Sequence, residues 1–344
     1  MAQKKIRIAI NGFGRIGKIA FKIAYEHHAD EVEIVAINDL STEAQAAEVL
    51  KYDSVYRAFP HTVSSGSGFI SVDGVQFKKF AEKEPEKLPW KDLAVDVVLE
   101  CTGVFTNKEG AARHLAGGAK VVIISAPAKT GEPVGTFVLG VNHEDFDATK
   151  DQVISNASCT TNCIAPVMEV LERTFGIEKA MMSTIHGYTA DQNLVDGFHK
   201  DPRRARSAAL NIVPTTTGAA IATAETVPQL NGIFDGLAFR VPVPVGSVSD
   251  ITALLKRDVT AEEVNAALTS AAETPRYKGI LEVTNDPIVS SDVIGRSVSS
   301  LVDLALTNVV GGNLVKVVAW YDNEYGYSHR LIEQAIGVGR KATV

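Results

Sequence analysis

The stretch Ile6–Gly17, IRIAINGFGRIG, read together with Val32–Leu40, VEIVAINDL, decides the fold. A short β-branched run meets Asn11 and then G-x-G-x-x-G at Gly12, Gly14 and Gly17. Between a strand and a helix each glycine serves a separate purpose, in turn the tight bend, the close approach of backbone to a pyrophosphate, and the contact of helix on sheet. The diphosphate then lies against free N–H groups at the positive end of the helix, beside Arg15 and Ile16. Asp39 closes the second run, where a carboxylate accepts hydrogen bonds from both ribose hydroxyls and repels a 2′-phosphate, favouring NAD over NADP.

Outward from this motif the pattern continues to about residue 155, with β-branched runs alternating with helix-like stretches as in a parallel sheet wound with helices. The expected strands are Ile6–Ile10, Val32–Ile37, Val95–Glu100, Lys120–Ser125, Phe137–Leu139 and Val153–Ser155, and Asp73-Gly74 sets a hairpin within 69–80 on one sheet edge. After Cys159 the runs lengthen: Lys179–Thr184, Leu237–Val245, Ser249–Lys256 and Asn313–Trp320. A helix at Ala261–Glu273 is announced by the capping box of Thr260 and Glu263. The expected architecture is α/β: a Rossmann dinucleotide-binding domain over 1–157, completed by a C-terminal helix within 324–344, and an α+β catalytic domain over 158–323 with a mostly antiparallel sheet.

Composition agrees with an ordinary enzyme. The chain has 344 residues, room for two cores, with 45% hydrophobic and 22% charged residues. A net charge of −7 argues against a dedicated nucleic-acid partner. No apolar run is long enough for a spanning helix, and the three cysteines, Cys101, Cys159 and Cys163, fit neither a disulfide framework nor a zinc spacing. The expectation is a cytoplasmic protein with no membrane association and no metal.

Ser155–Asn162, SNASCTTN, runs from a strand into a helix and places Cys159 in its first turn. There the helix dipole and unpaired N–H groups favour a thiolate, so the thiol's pKa is expected to fall, and the same groups can hold an oxyanion. Cys163, one turn on, is expected to face the interior, and Cys101, ending an apolar strand, to be core. The base is His186, at the end of the strand Met181–Ile185; the other seven histidines sit in polar or loop contexts and read mostly as solvated. Arg240 stands alone in an apolar run, FRVP, and is expected to meet an anion, because an unpaired buried guanidinium is costly. The basic loop Asp201–Arg206 and the hydroxyl-rich Pro214–Gly218 add phosphate-binding chemistry.

Together INGFGRIG, AINDL, ECTGVF, SNASCTTNC, HGYTADQ, the arginine loop, PTTTGAA, FRVP and WYDNEYGYSHR resemble the phosphorylating glyceraldehyde-3-phosphate dehydrogenases over practically the whole chain. The resemblance implies that Cys159 attacks the aldehyde, that hydride leaves for the nicotinamide, and that inorganic phosphate cleaves the resulting thioester to 1,3-bisphosphoglycerate. It implies His186 as thiol activator and acid/base. Thr189, Asp191 and Arg240 would meet the phosphate of glyceraldehyde 3-phosphate, and Ser158, Thr160, Thr217 and Gly218 the attacking phosphate. NAD would be held by Asn11, Gly12, Gly14, Arg15, Ile16, Gly17, Asp39, Lys83, Thr102, Ser125, Asn323 and Tyr327. The family's homotetramer is implied as well, with the arginine loop against a neighbour's cofactor.

Two departures from the family pattern stand out. Val195-Asp196-Gly197-Phe198 replaces a Leu-Pro pair and leaves NADP use open. Val243-Pro244-Val245-Gly246 and Ile221 replace the usual Thr-Pro-Asn and Lys. The competing readings are an erythrose-4-phosphate dehydrogenase, which hydrolyses its thioester, and a non-enzymatic nucleotide- or RNA-binding module. Retention of Thr189 and Thr217-Gly218 favours the phosphate-using enzyme, and the Cys159 and His186 pair argues against the module.

Overall fold

A computed structural model describes residues 4–129 and 131–342; the expected first-domain start at 1–3 and the helix end at 343–344 lie outside the described residues. The chain divides into two compact units, one of residues 1–137, 143–157 and 328–344, the other of 138–142 and 158–327.

In the first unit β1 (Ile6–Asn11), α1 (Arg15–His27), β2 (Val32–Asn38) and α2 (Glu43–Lys51) come first. They lead into β3 (Val63–Gly66), β4 (Phe69–Val72) and β5 (Val75–Phe80). Then come β6 (Val97–Glu100), α3 (Lys108–Ala116), β7 (Val121–Ile124), β8 (Gly135–Thr136) and β9 (Val153–Ser155). They form one sheet in the order β3-β4-β5-β2-β1-β6-β7-β9-β8, parallel from β5 to β8 and antiparallel only in the β3–β5 edge meander. The meander turns at Asp73-Gly74, both with positive φ (49° and 85°), the backbone that a two-residue hairpin needs. β1, β6 and β7 are buried along almost their whole length, as strands covered on both faces must be.

The expected strand Phe137–Leu139 falls two residues earlier. Only Gly135 and Thr136 pair with β9, because a turn closing on the Val138 carbonyl, to which the N–H groups of Val141 and Asn142 both donate, takes the chain out of the sheet.

The second unit holds α4 (Cys159–Phe175), β10 (Ile177–Gly187), β11 (Val213–Thr216), α5 (Ala219–Thr226), β12 (Phe234–Val241) and β13 (Ser247–Leu255). It continues with α6 (Ala261–Ala272), β14 (Leu281–Thr284), β15 (Ser300–Asp303), β16 (Asn308–Val310) and β17 (Leu314–Tyr321). Its sheet runs β11-β12-β10-β13-β17-β15-β14, with β16 paired to β17; only β10·β12 and β14·β15 are parallel. β13 alternates buried and half-buried residues, and α4 packs along the sheet with Val167, Met168 and Leu171 fully buried. Each such side chain contributes ~1.5–3 kcal/mol from burial. β12 stops at Val241, short of the expected Val245, because Pro242 and Pro244 have no N–H to give the ladder. Finally α7 (Tyr325–Ala342) belongs to the first unit from Ser328 onward, where Arg340 pairs with Glu31 at 2.7 Å. Among the described residues no helix is long and apolar enough to cross a membrane.

Candidate active site

In the first unit the glycine turn opens a cavity of about 460 Å³. Gly12 takes φ +92°, and a Cβ there would lie 2.6 Å from the Thr102 nitrogen; one on Gly17 would stand 2.0 Å from the Gly12 carbonyl oxygen. A Cβ on Gly14 would meet nothing within 4 Å, so the middle glycine faces open space where a pyrophosphate fits. Gly14 is the N-cap of α1 and makes no side-chain cap, which leaves the first-turn N–H groups for an anion.

Asp39 lines the same cavity, and its carboxylate accepts from the N–H groups of Phe13 and Ser41, both at 2.8 Å. Burial pulls its pKa up, yet these donors and nearby Lys79 outweigh it and keep the carboxyl below its usual range, ionised at neutral pH. A fixed anion at this rim suits a ribose diol and opposes a 2′-phosphate.

Of the residues expected to hold the cofactor, Asn11, Gly12, Gly14, Asp39, Lys83 and Thr102 line the cavity. Arg15 and Ile16 do not; the Arg15 guanidinium turns to Asp53 at 2.6 Å. Gly17 supports the turn from behind, and Ser125 sits at the end of β7, its N–H on the Glu100 carbonyl. Asn323 and Tyr327 belong to the second unit. There the Asn323 Oδ1 accepts from Gly246 N (3.2 Å) and Ser247 Oγ (2.9 Å), which fixes the amide and presents Nδ2 as a donor; Tyr327 is buried.

Under this cavity lies a polar network whose pairings have no local sign in the sequence. Glu100, fully buried, accepts from Asn11 Nδ2 at 2.5 Å and from the Thr102 N–H at 2.8 Å, and Asn38 donates to the Asn11 Oδ1 at 2.7 Å. Trp90 Nε1 donates to His114 Nδ1 (2.9 Å), so the His114 Nε2 carries the ring proton and faces Glu100 at 3.1 Å. His114, expected to be solvated, is therefore core, fully buried where only paired polar groups are tolerated. Cys101 also departs from its expected core role, because it lines the cavity, although burial pushes its thiol up to about 12.

In the second unit the candidate nucleophile is set by the start of α4. Ala157 has φ +56°, a left-handed turn that costs about 1 kcal/mol, and Ser158 caps the helix by accepting the Thr161 N–H at 2.9 Å. Cys159 is then the first helical residue, with its Sγ 3.4 Å from His186 Nε2. The His186 Nδ1–H donates to the Gly187 carbonyl at 2.6 Å, so Nε2 is the bare nitrogen, aimed at the thiol.

The expected fall in the thiol's pKa does not occur. Burial pushes the Cys159 thiol up and exceeds the opposing pull of Arg240 and of the Thr160 N–H. Burial, with Arg240 alongside, drives His186 down to about 3. The helix-mouth effect is present, but desolvation wins, and the resting pair is a neutral thiol donating to a neutral imidazole. Cys163 lies inward as expected, against Ser300 and the Ala319 carbonyl, pushed up to about 12 by burial.

Sheet register brings the candidate anion-binding residues to this pair. β10 and β12 run parallel with His186 opposite Arg240. Arg240 Nη1 donates to Thr189 Oγ1 at 2.8 Å and to the Gly187 carbonyl at 3.2 Å, while its buried Nε–H has no protein acceptor. A buried guanidinium nitrogen without an acceptor is what an incoming phosphate or hydroxyl would satisfy. Asp191 accepts from Thr189 and pairs with Arg204 at 2.5 Å; its charge repels phosphate, and its contacts position those two donors. Arg204, named in sequence only as part of a basic loop, ties that loop to Thr215 Oγ1 at 3.0 Å.

Thr217 Oγ1 accepts the Ala219 N–H, and Gly218 is the N-cap of α5, so both stand at a helix mouth. Thr160 is buried, its hydroxyl 2.9 Å from Tyr321 OH, which also meets Thr184 Oγ1 at 2.8 Å and stands edge-on to the His186 ring. Thr184 lies in no motif, and Tyr321, although within WYDNEYGYSHR, is legible as its partner only once β10, β13 and β17 are in register.

Residues 6–108 match the family model described as glyceraldehyde 3-phosphate dehydrogenase, NAD binding domain, and residues 158–323 match that family's C-terminal domain. The chain is 54% identical over 327 residues to a glyceraldehyde-3-phosphate dehydrogenase of Thermotoga maritima, covering 95% of this chain and 97% of the relative. The chain belongs to the glyceraldehyde-3-phosphate dehydrogenase family. Glyceraldehyde-3-phosphate dehydrogenase 2 of Streptomyces avermitilis is 52% identical over 336 residues, 98% of this chain and 99% of its own. The enzyme of Geobacillus stearothermophilus is 50% identical over 336 residues with the same coverage. The NAD-binding model covers the glycine turn of the first unit, the C-terminal model begins one residue before Cys159, and NAD is the family's cofactor.

Proposed function

We propose that this chain oxidises glyceraldehyde 3-phosphate with NAD and transfers the acyl group to inorganic phosphate, giving 1,3-bisphosphoglycerate. The observation that carries the reading is the Cys159 Sγ and His186 Nε2 pair at 3.4 Å, with Arg240 and Thr189 beside the imidazole. The thiol gives its proton to Nε2 as sulfur bonds to the aldehyde carbon. Arg240, 3.3 Å from the ring, makes the imidazolium costly, so the proton passes on to the new alkoxide, leaving a hemithioacetal and a neutral ring. His186 next takes the hydroxyl proton as hydride leaves the carbon, and a thioester on Cys159 results. NAD, when bound by the first unit, supplies the hydride acceptor. Phosphate oxygen then attacks the thioester carbon, the C–S bond breaks, and the leaving Cys159 sulfur takes back the proton held by His186; Ser158, Thr160, Thr217 and Gly218 are the attacking phosphate's donors, and Arg240 and Thr189 hold the substrate's own phosphate.

The test is NADH formation from glyceraldehyde 3-phosphate with and without phosphate, repeated with NADP and with erythrose 4-phosphate. Sustained turnover is expected only with phosphate, and, given the anionic rim at Asp39, at least about tenfold faster at limiting NAD than at limiting NADP. Turnover that ignores phosphate would instead support the hydrolytic erythrose-4-phosphate reading.

A homotetramer is proposed as well. Leu194, Val195, Phe198, Leu210 and Ile212 are all exposed within the segment 194–212 of the second unit, apolar surface that a neighbouring chain would cover. Light scattering should return the mass of four 36.8 kDa chains; a monomer would remove the reading. The three free cysteines support a reducing, cytoplasmic setting.

A further inference from the structure

The end of α1 and the part of α7 beyond Ser328 bring together three groups that the dehydrogenase chemistry does not use. His28 caps the C-terminus of α1, while His329 and Glu333 lie one turn apart on α7, so they share a helix face. One ligand atom from each lies within 4.8 Å of the other two. His329, expected to be solvated, is only 7% exposed, and His28 and Glu333 are half-buried, so the cluster is partly withdrawn from water yet reachable.

We propose that His28, His329 and Glu333 bind a borderline divalent metal ion of the Zn²⁺ kind, tying α7 to the end of α1. The ligand set is two imidazoles and a carboxylate, the mixture such ions select over Mg²⁺ or Ca²⁺. His28 is held by a carboxylate. Its Nδ1 meets Glu31 Oε2 at 2.8 Å, so Nδ1–H donates and Nε2 is left bare, the carboxylate–histidine arrangement that fixes metal-ligating imidazoles. Glu31 is fixed in turn by Arg340 at 2.7 Å. Arg330 takes one oxygen of Glu333 at 2.6 Å, which offsets that charge before metal arrives and leaves the second oxygen to bind. The three ligand atoms lie within 4.8 Å of one another, against about 3.3 Å between neighbouring ligands of a tetrahedral Zn²⁺ shell, so binding draws the side chains together by up to about 1.5 Å. The ligands come from opposite ends of the chain, so spacing along the sequence could not reveal them.

The experiment uses the full chain carrying Cys159→Ser, which removes the reactive thiol as a competing ligand, with Zn²⁺ as the probe in calorimetry and Co²⁺ in visible absorption. Expected are one ion per chain, a thermal midpoint that rises with Zn²⁺, and a Co²⁺ spectrum of nitrogen and oxygen ligation without thiolate charge transfer. His28→Gln and Glu333→Gln, both at half-buried positions, should each weaken binding by about 10–100-fold or more, since losing a direct ligand costs at least as much as losing an outer partner, with circular dichroism unchanged. His329→Gln should do the same if it folds. Absence of stoichiometric Zn²⁺ binding, or binding that His28→Gln and Glu333→Gln leave untouched, overturns the site.

Discussion

Replacing Cys159 by Ser is expected to lower kcat on the order of 10⁴-fold or more. NAD affinity should stay within about two-fold, because no group in the first unit's cavity is changed. The oxygen occupies nearly the sulfur's place at the mouth of α4, so Ser158 still caps the helix and His186 still faces position 159. What changes is acidity. An alcohol holds its proton far more tightly than a thiol, and an imidazole driven down to about 3 is a weak base for it. The alkoxide is also a poor leaving group when phosphate must later displace it. Single-turnover NADH formation and an NAD titration of the same preparation separate the two effects. Hydride formation within about tenfold of the native rate would mean that sulfur chemistry does not carry the oxidation.

Much of this was legible in residues because the dinucleotide motif states its own geometry. A strand, a turn that only Gly12 can make, a helix that Gly17 lets close, and an acid after the next strand form a local pattern whose parts constrain one another. Val153–Ser155 and the Thr260 capping box were readable for the same reason. The parts that stayed hidden lack a local signature. α5 is AAIATAET, small residues without an amphipathic stripe, and β15 is a short strand buried along its length, where alternation cannot appear.

At the sites, Cys159 and His186 could be named from their neighbours, but the sign of the thiol's shift could not. Desolvation depends on how deeply β10, β12 and α4 enclose the pair, and that is a tertiary quantity. Glu100 with His114, and Tyr321 with Thr160 and Thr184, likewise exist only after strands distant in sequence come into register.

Exchanging His186 for Gln is expected to reduce kcat/KM by about 10²–10⁴-fold and to change the shape of the pH profile, which a merely structural residue would not do. In the native chain burial holds His186 down to about 3, so Nε2 is unprotonated throughout the neutral range and the oxidation step should vary little there. In the variant the proton must leave to solvent. The thiol's pKa is raised by burial above the ordinary thiol range, so at neutral pH the reactive thiolate is a small fraction that grows as pH rises. The rate should therefore climb by about tenfold per pH unit from roughly pH 6 to 9, where the native profile is flat. Gln keeps a polar side chain beside Gly187 and Arg240, so collapse of the strand end does not mimic the loss. A variant whose rate is low but flat with pH would show that His186 only orients the substrate, and one that keeps the native rate would place the base elsewhere.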